Sequence, residues 1–171
     1  MIVIRLYRIG NLLHRKSWFR LAKLVSYLNR FLFAVWLPSS AKIGRNFKLG
    51  YGGLGVVIHK DAIIGDNVLI AQNVTIGRNF GDKKVPVIGN DVYVGTGSVI
   101  FGEITIGDNV IIGSNTLVNK SIPDNTTVVG NPMKIIQSNR IKKYYELDTK
   151  TDPCKKNSFE ESLNETSYII L

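Results

Sequence analysis

The chain carries two imidazoles and one thiol, at His14, His59 and Cys154. Only His59 stands where proton transfer is plausible. It closes the run Gly52-Gly53-Leu54-Gly55-Val56-Val57-Ile58-His59, with Tyr51 just before the run and Asp61 two residues beyond it. Imidazole is the side chain whose ordinary titration range lets it take a proton from a hydroxyl near neutral pH, and a carboxylate or backbone carbonyl beside it selects which ring nitrogen does so. The candidate catalytic groups are therefore His59 as general base, Asp61 as the group that fixes its tautomer, and Tyr51 as an alternative that shares the polar work with Lys84. A second polar cluster, Asp82, Lys83 and Lys84, suits contact with an acceptor. His14 lies in a basic N-terminal stretch and is a poor catalyst. Two histidines and one cysteine argue against a zinc centre, and a single cysteine excludes an internal disulfide.

What positions these residues is a six-residue repeat. Aliphatic anchors recur at Ile64, Ile70, Ile76, Ile88, Val94, Ile100, Ile106, Ile112 and Val118, usually followed by glycine. Anchors six apart fall on opposite sides of a 3.6-residue helix, so the run is not helical. In Ile64-Gly65-Asp66-Asn67-Val68-Leu69 the residues Val68 and Ile70 have strand spacing, while Gly65, Asp66 and Asn67 are turn formers. Each hexad is thus a short strand and a corner of a solenoid. The glycine after each anchor is expected to supply the positive φ of the corner, helped by Asp66-Asn67, Asn90-Asp91 and Asp108-Asn109. Stacked rungs bury a continuous aliphatic interior, each anchor contributing about 1.5 to 3 kcal/mol.

His59 follows anchor Ile58 where most rungs place glycine, so its ring should point outward. The repeat is broken twice. Leu49 to Ile58 is nine residues, three more than one repeat, and this glycine-rich insertion reads as a bulge shaped for close approach of a ligand or another backbone. Residues 77–87 interrupt it again, because Asp82 occupies an anchor position, and should protrude as a loop.

Three segments, Ala41-Lys42-Ile43-Gly44, Ile64 to Gly77, and Ile112 to Pro132 with its ending Val128-Val129-Gly130-Asn131-Pro132-Met133-Lys134-Ile135-Ile136, resemble the hexapeptide-repeat acyltransferases. Within that family the chain is similar to serine acetyltransferases and to bacterial sugar O-acetyltransferases of surface-polysaccharide pathways. The resemblance implies a mainly β chain folded as a left-handed parallel β-helix, a homotrimer, active sites between neighbouring subunits, and acetyl-CoA as co-substrate with no metal. Small corner residues, Gly95, Gly97, Gly113 and Ser114, would let the pantetheine arm lie against the main chain. The resemblance places the coenzyme near the closing Gly130, Asn131, Pro132 and Lys134, with Lys134, Lys120 and Arg140 as partners for its phosphates.

The sequence also departs from the serine acetyltransferase pattern. Those enzymes show Asp-His where Gly50-Tyr51 stands, and a Gly-Asp-Arg-His segment falls against Gly81-Asp82-Lys83-Lys84. With neither family histidine matched, a sugar or lipid-linked saccharide hydroxyl is the expected acceptor, attacked directly within a ternary complex. Serine O-acetyltransferase is the alternative within enzymes. A non-catalytic β-helix scaffold that binds a partner or membrane is the alternative outside them.

The net charge of +9 is unevenly spread: residues 1–60 hold eleven Lys/Arg and no acid. Residues 1–40 read as a basic amphipathic helical segment broken near Gly10-Asn11 or Lys16-Ser17, residues 41–137 as the solenoid, and residues 138–171 as a tail with a short helix around 141–147 and then partial disorder. The richest apolar piece, Leu24 to Leu37, falls short of the roughly 20 residues a bilayer span needs. Residues 1–37 would instead lie on an anionic membrane surface or cap the solenoid, in a protein expected to be cytoplasmic, peripheral at the inner membrane face, and without a nucleic-acid partner.

Overall fold

The computed structural model of the protein describes residues 1–147. Two helices come first, α1 (Ile2–Arg15) and α2 (Phe19–Phe33). The solenoid then winds through four full turns. They are β1 (Lys42–Ile43), β2 (Lys48–Leu49) and β3 (Val57–Ile58); β4 (Ile63–Ile64), β5 (Leu69–Ile70) and β6 (Thr75–Gly77); β7 (Val87–Ile88), β8 (Tyr93–Val94) and β9 (Val99–Phe101); and β10 (Thr105–Ile106), β11 (Ile111–Ile112) and β12 (Leu117–Val118). A partial fifth turn supplies β13 (Thr127–Val129), on which β14 (Lys134–Gln137) folds back antiparallel.

Each turn lays one strand on each of three faces. Face one is β1-β4-β7-β10, face two runs from β2 through β5, β8 and β11 to β13 and β14, and face three is β3-β6-β9-β12. The registers stack the anchors into three internal columns: Ile43, Ile64, Ile88 and Ile106; Leu49, Ile70, Val94, Ile112 and Val128; and Ile58, Ile76, Ile100 and Val118. All are buried.

The three edges of this prism are built differently, and the first corrects the reading of the corner glycines. Between faces one and two, positive φ falls on Asn46, Asn67, Asp91, Asn109 and Asn125, not on the glycine after each anchor. Those glycines serve rung-to-rung contact: a Cβ at Gly65 would sit 2.5 Å from the Gly89 carbonyl oxygen. Two ladders zip this first edge. In one, the N–H groups of Arg45, Asp66, Asn90 and Asp108 donate to side-chain oxygens of Asp66, Asn90, Asp108 and Asp124 at 2.6, 2.8, 2.6 and 2.8 Å. In the other, Asn46 donates to Asn67, Asn67 to Asp91, and Asn109 to Asn125, at 3.0, 2.9 and 2.8 Å. An αL corner favours Asn and Asp because their short polar side chains tolerate that conformation and bond locally.

Arg140 closes the far end of the second ladder. Its guanidinium donates to the Asn109 backbone oxygen and to Asn109 Oδ1 (3.0 Å), Asn109 Nδ2 returns a bond to the Arg140 carbonyl at 3.1 Å, and the Arg140 N–H meets the Asn125 carbonyl at 2.8 Å. The residue is 5% exposed, and burial pulls its guanidinium below the usual arginine range. Arg140 is therefore structural, which removes it from the candidate phosphate contacts.

The helices cap the opposite end. Val3, Tyr7, Val35 and Leu37 join the same core as the solenoid anchors. The Tyr7 hydroxyl donates to the Ala41 carbonyl at 2.7 Å, Arg8 to the Ile43 and Gly44 carbonyls, and Asn11 to Ser39 O at 2.8 Å. The helix break falls at Lys16–Trp18, with Ser17 at φ 62°, whereas Gly10 lies within α1, where a Cβ would press on Ser39 and Val25. The short helix expected around 141–147 is a single 3-10 turn at Tyr144–Glu146, in a separate unit beginning at Lys142. The rest of the tail reading lies outside the described residues.

Candidate active site

With the first edge committed to ladders, the two edges that flank face three hold every chemical candidate on the solenoid corners. The second edge, between faces two and three, carries Tyr51, Gly95, Gly97, Gly113, Ser114, Gly130 and Asn131. The third edge, between faces three and one, carries His59, Asp61, Asp82, Lys83, Lys84 and Lys120. Lys134 opens β14 and is exposed. The cluster foreseen around His59 is thus divided: Tyr51 and His59 lie at opposite ends of the first turn of face three.

The third edge is the one with room. The position after the anchor, mostly glycine elsewhere, holds His59, Phe101 and Asn119 here, and even Gly77 has only Thr75 within 4.0 Å of a built Cβ. Side chains can therefore project from this edge, and the His59 side chain is 27% exposed.

Its tautomer differs from expectation. The Asp61 backbone N–H donates to His59 Nδ1 at 3.2 Å, so the ring proton sits on Nε2, while the Asp61 carboxylate stands 3.7 Å from Nδ1. That carboxylate is held by Lys60 Nζ at 2.8 and 3.0 Å. The Lys60 hydrogen bond, with the fields of Lys60, His59 and Arg78, keeps the Asp61 carboxyl below the usual carboxylate range. As arranged, His59 presents a donor outward. It presents a basic Nε2 once the proton moves to Nδ1 and faces the Asp61 carboxylate. Arg78, on the next rung, is a cation that sequence reasoning passed over, since only the fold brings its charge to Asp61.

The loop expected over 77–87 is there, with Phe80 wholly exposed. Two of its three acceptor candidates turn back on the solenoid. Lys84 pairs with Glu103 at 2.7 Å, which raises the lysine above its ordinary range, and Asp82 Oδ2 lies against Gly102. Lys83 is exposed.

On the second edge the inserted segment forms a tight 3-10 turn at Gly50–Gly53, with Tyr51 at φ 49°, ψ 39° and 84% exposed. A bulky residue in the left-handed region is an outlier that the surrounding structure must hold in place, and such outliers cluster at functional sites. Below it the small residues have structural reasons of their own. A Cβ at Gly95 would lie 2.5 Å from the Ser114 nitrogen. The amides of Gly95, Gly97 and Gly113 are engaged by Ile112, Gln72 and Val128 carbonyls at 2.8, 3.1 and 2.8 Å, so they are not the oxyanion donors. The Ser98 and Thr116 hydroxyls both donate to the Gly113 carbonyl, at 2.9 and 2.7 Å. What remains is a row of small corner residues whose main chain is already engaged.

Residues 86–120 match the family model described as bacterial transferase hexapeptide (six repeats). The serine acetyltransferase of Helicobacter pylori strain 26695 is 38% identical over 136 residues, covering 78% of this chain and 79% of that protein. The chain belongs to the serine acetyltransferase family. Its solenoid is accordingly a left-handed β-helix of hexapeptide repeats, and it is an acyltransferase. The Brucella abortus S19 serine acetyltransferase in complex with coenzyme A superposes with a TM-score of 0.77 at 28% identity, over 81% of this chain and 56% of that one. The soybean serine acetyltransferase complexed with serine gives 0.74 at 33%, over 78% and 56%. The chain thus spans a little over half of these solved serine acetyltransferases. These relatives overturn the sugar or lipid-linked saccharide acceptor and the assignment to polysaccharide biosynthesis. That expectation rested on two unmatched histidines, which bear on how the proton is moved rather than on which hydroxyl is acylated.

Proposed function

We propose that the protein transfers the acetyl group of acetyl-CoA to the hydroxyl of serine. The observation that carries this reading is the 38% identity that extends over 79% of a serine acetyltransferase. The coenzyme would lie along the second edge, its pantetheine arm against the wall made by Gly95, Gly97, Gly113 and Ser114, near Gly130 and Asn131, with Lys134 and Lys120 as partners for its phosphates. Serine would enter at the third edge, where Arg78 offers a cation to its carboxylate.

His59 is the only imidazole on the solenoid, and in this reading it is the base. With its Nδ1–H turned to the Asp61 carboxylate, Nε2 takes the serine hydroxyl proton as the oxygen attacks the thioester carbonyl carbon. The tetrahedral intermediate collapses by breaking the C–S bond, and the imidazolium returns the proton to the departing thiolate. O-acetylserine and free CoA result.

The two edges lie at opposite ends of face three, so a site that uses both is best completed by a neighbour. Tyr51, Leu54 and Phe80 are exposed apolar groups on these edges, which supports self-association, and the family likeness supports a homotrimer with sites between subunits.

The test is thiol release from acetyl-CoA in the presence of L-serine. Release should saturate with serine and vanish with L-alanine, and His59→Ala should lower turnover about 100- to 10,000-fold with folding intact. Absence of serine-dependent release by the folded protein would refute the activity. Near-normal turnover in His59→Ala, with loss in Tyr51→Phe, would refute the role of His59 alone.

A further inference from the structure

The helix α2 is amphipathic the wrong way round. Its buried stripe is Ala22, Ser26 and Asn29, small and polar; the Ser26 hydroxyl bonds the Ser39 hydroxyl and Asn29 Nδ2 donates to the Val3 carbonyl. Its exposed stripe is Leu21, Leu24, Leu28, Phe31 and Leu32, with Phe31 88% exposed. Helices of soluble proteins bury the apolar stripe and expose the polar one. α1 continues the pattern, with Ile2, Ile9 and Leu12 exposed, and Trp18 and Phe19 stand exposed at the turn between the helices. Contiguous exposed apolar surface of this kind marks a docking face.

Charge decides what docks there. The two helices and the turn between them carry seven Lys/Arg and no acid, and no acid occurs before Asp61. Two copies of this face brought together would oppose cation to cation with nothing to neutralise them. An anionic lipid surface supplies both what the leucines lack and what the cations lack: hydrocarbon at shallow depth and phosphate at the headgroup level. Neither helix crosses the bilayer. At 14 and 15 residues they are about 21 to 23 Å long, and among the described residues no helix is long and apolar enough to span. The geometry is that of a hairpin lying in the interface plane, its underside fastened to the start of the solenoid by Val3 and Tyr7 in the core and by hydrogen bonds from Tyr7, Arg8 and Asn11.

We infer that α1 and α2 form a membrane-docking hairpin that seats the enzyme on an anionic lipid surface, independently of which hydroxyl it acylates. The experiment is co-sedimentation of the full chain with phosphatidylcholine vesicles, with and without phosphatidylglycerol. Two variants are compared: Leu24→Ser/Leu28→Ser/Phe31→Ser, and Arg5→Gln/Lys16→Gln/Arg20→Gln. All six sites are exposed, and thermal melting confirms that each variant folds. Wild type should bind the anionic vesicles and not the neutral ones, with each variant at least tenfold weaker. Failure of wild type to bind anionic vesicles overturns the inference, as does unchanged binding in either variant. A fall in oligomer mass for the apolar variant in sedimentation velocity, without vesicle binding by wild type, overturns it in favour of a second copy as occupant.

Discussion

Replacing Arg140 by methionine separates a structural role from a ligand-binding one. The guanidinium is 5% exposed and serves two Asn109 acceptors, one of them backbone. Hydrogen bonds from a charged donor contribute roughly 1.5 to 3 kcal/mol each, so the gross loss is about 3 to 6 kcal/mol. Part of it is offset because the variant no longer desolvates a buried cation, whose cost is visible in the lowered affinity of Arg140 for its proton. The net is roughly 2 to 4 kcal/mol. At about 2 to 4 °C per kcal/mol for a domain of this size, the melting temperature should fall by roughly 5 to 15 °C. Calorimetric melting of Arg140→Met measures this, with the KM for acetyl-CoA measured well below the transition. An unchanged melting temperature with a several-fold higher KM would refute the reasoning and restore Arg140 as a phosphate contact.

Gly95→Ala should destabilise by about 1 to 3 kcal/mol, because the new methyl meets Ser114 and Gly113 backbone atoms at 2.5 to 2.7 Å rather than a movable side chain; urea unfolding monitored by circular dichroism reads the change. Asp66 is held below the usual carboxylate range first by the Arg45 backbone N–H and then by its guanidinium. Its contribution is thus complete above the unfolded carboxylate value of about 4 and disappears as pH falls through the lower folded value. Asp66→Asn should therefore flatten the acid limb of a melting-temperature-against-pH curve, modestly since the pair is exposed.

The fold was legible because one physical requirement, an aliphatic side chain turned inward every sixth residue, leaves a periodic mark. Ile58, Ile76, Ile100 and Val118 could be assigned to one interior without knowing which face they shared. The corners were harder. Glycine after the anchor looked like a dihedral requirement, yet the positive φ sits on Asn67 and Asn109, and Gly65 and Gly95 are small because the neighbouring backbone is within contact distance. The site was less legible still, since local sequence says that His59 points outward but not that Tyr51 stands on the opposite edge of face three. The partner of the ring shows the same limit: two residues on, Asp61 meets Nδ1 through its backbone amide rather than its carboxylate. Arg78 carries no local mark at all, and its field at Asp61 exists only because successive rungs stack.

The laddered first edge also bears on how such a chain can change. Each bond in it joins equivalent positions of consecutive turns, so an insertion or deletion within one such corner would break that corner's bonds to the turns on either side. The two lengthened connections, 50–56 and 77–86, both occur at the other corners. Lineages of this architecture are accordingly free to remodel what they recognise by adding or trimming chain beside face three, while the zipped seam holds the scaffold to whole-turn increments.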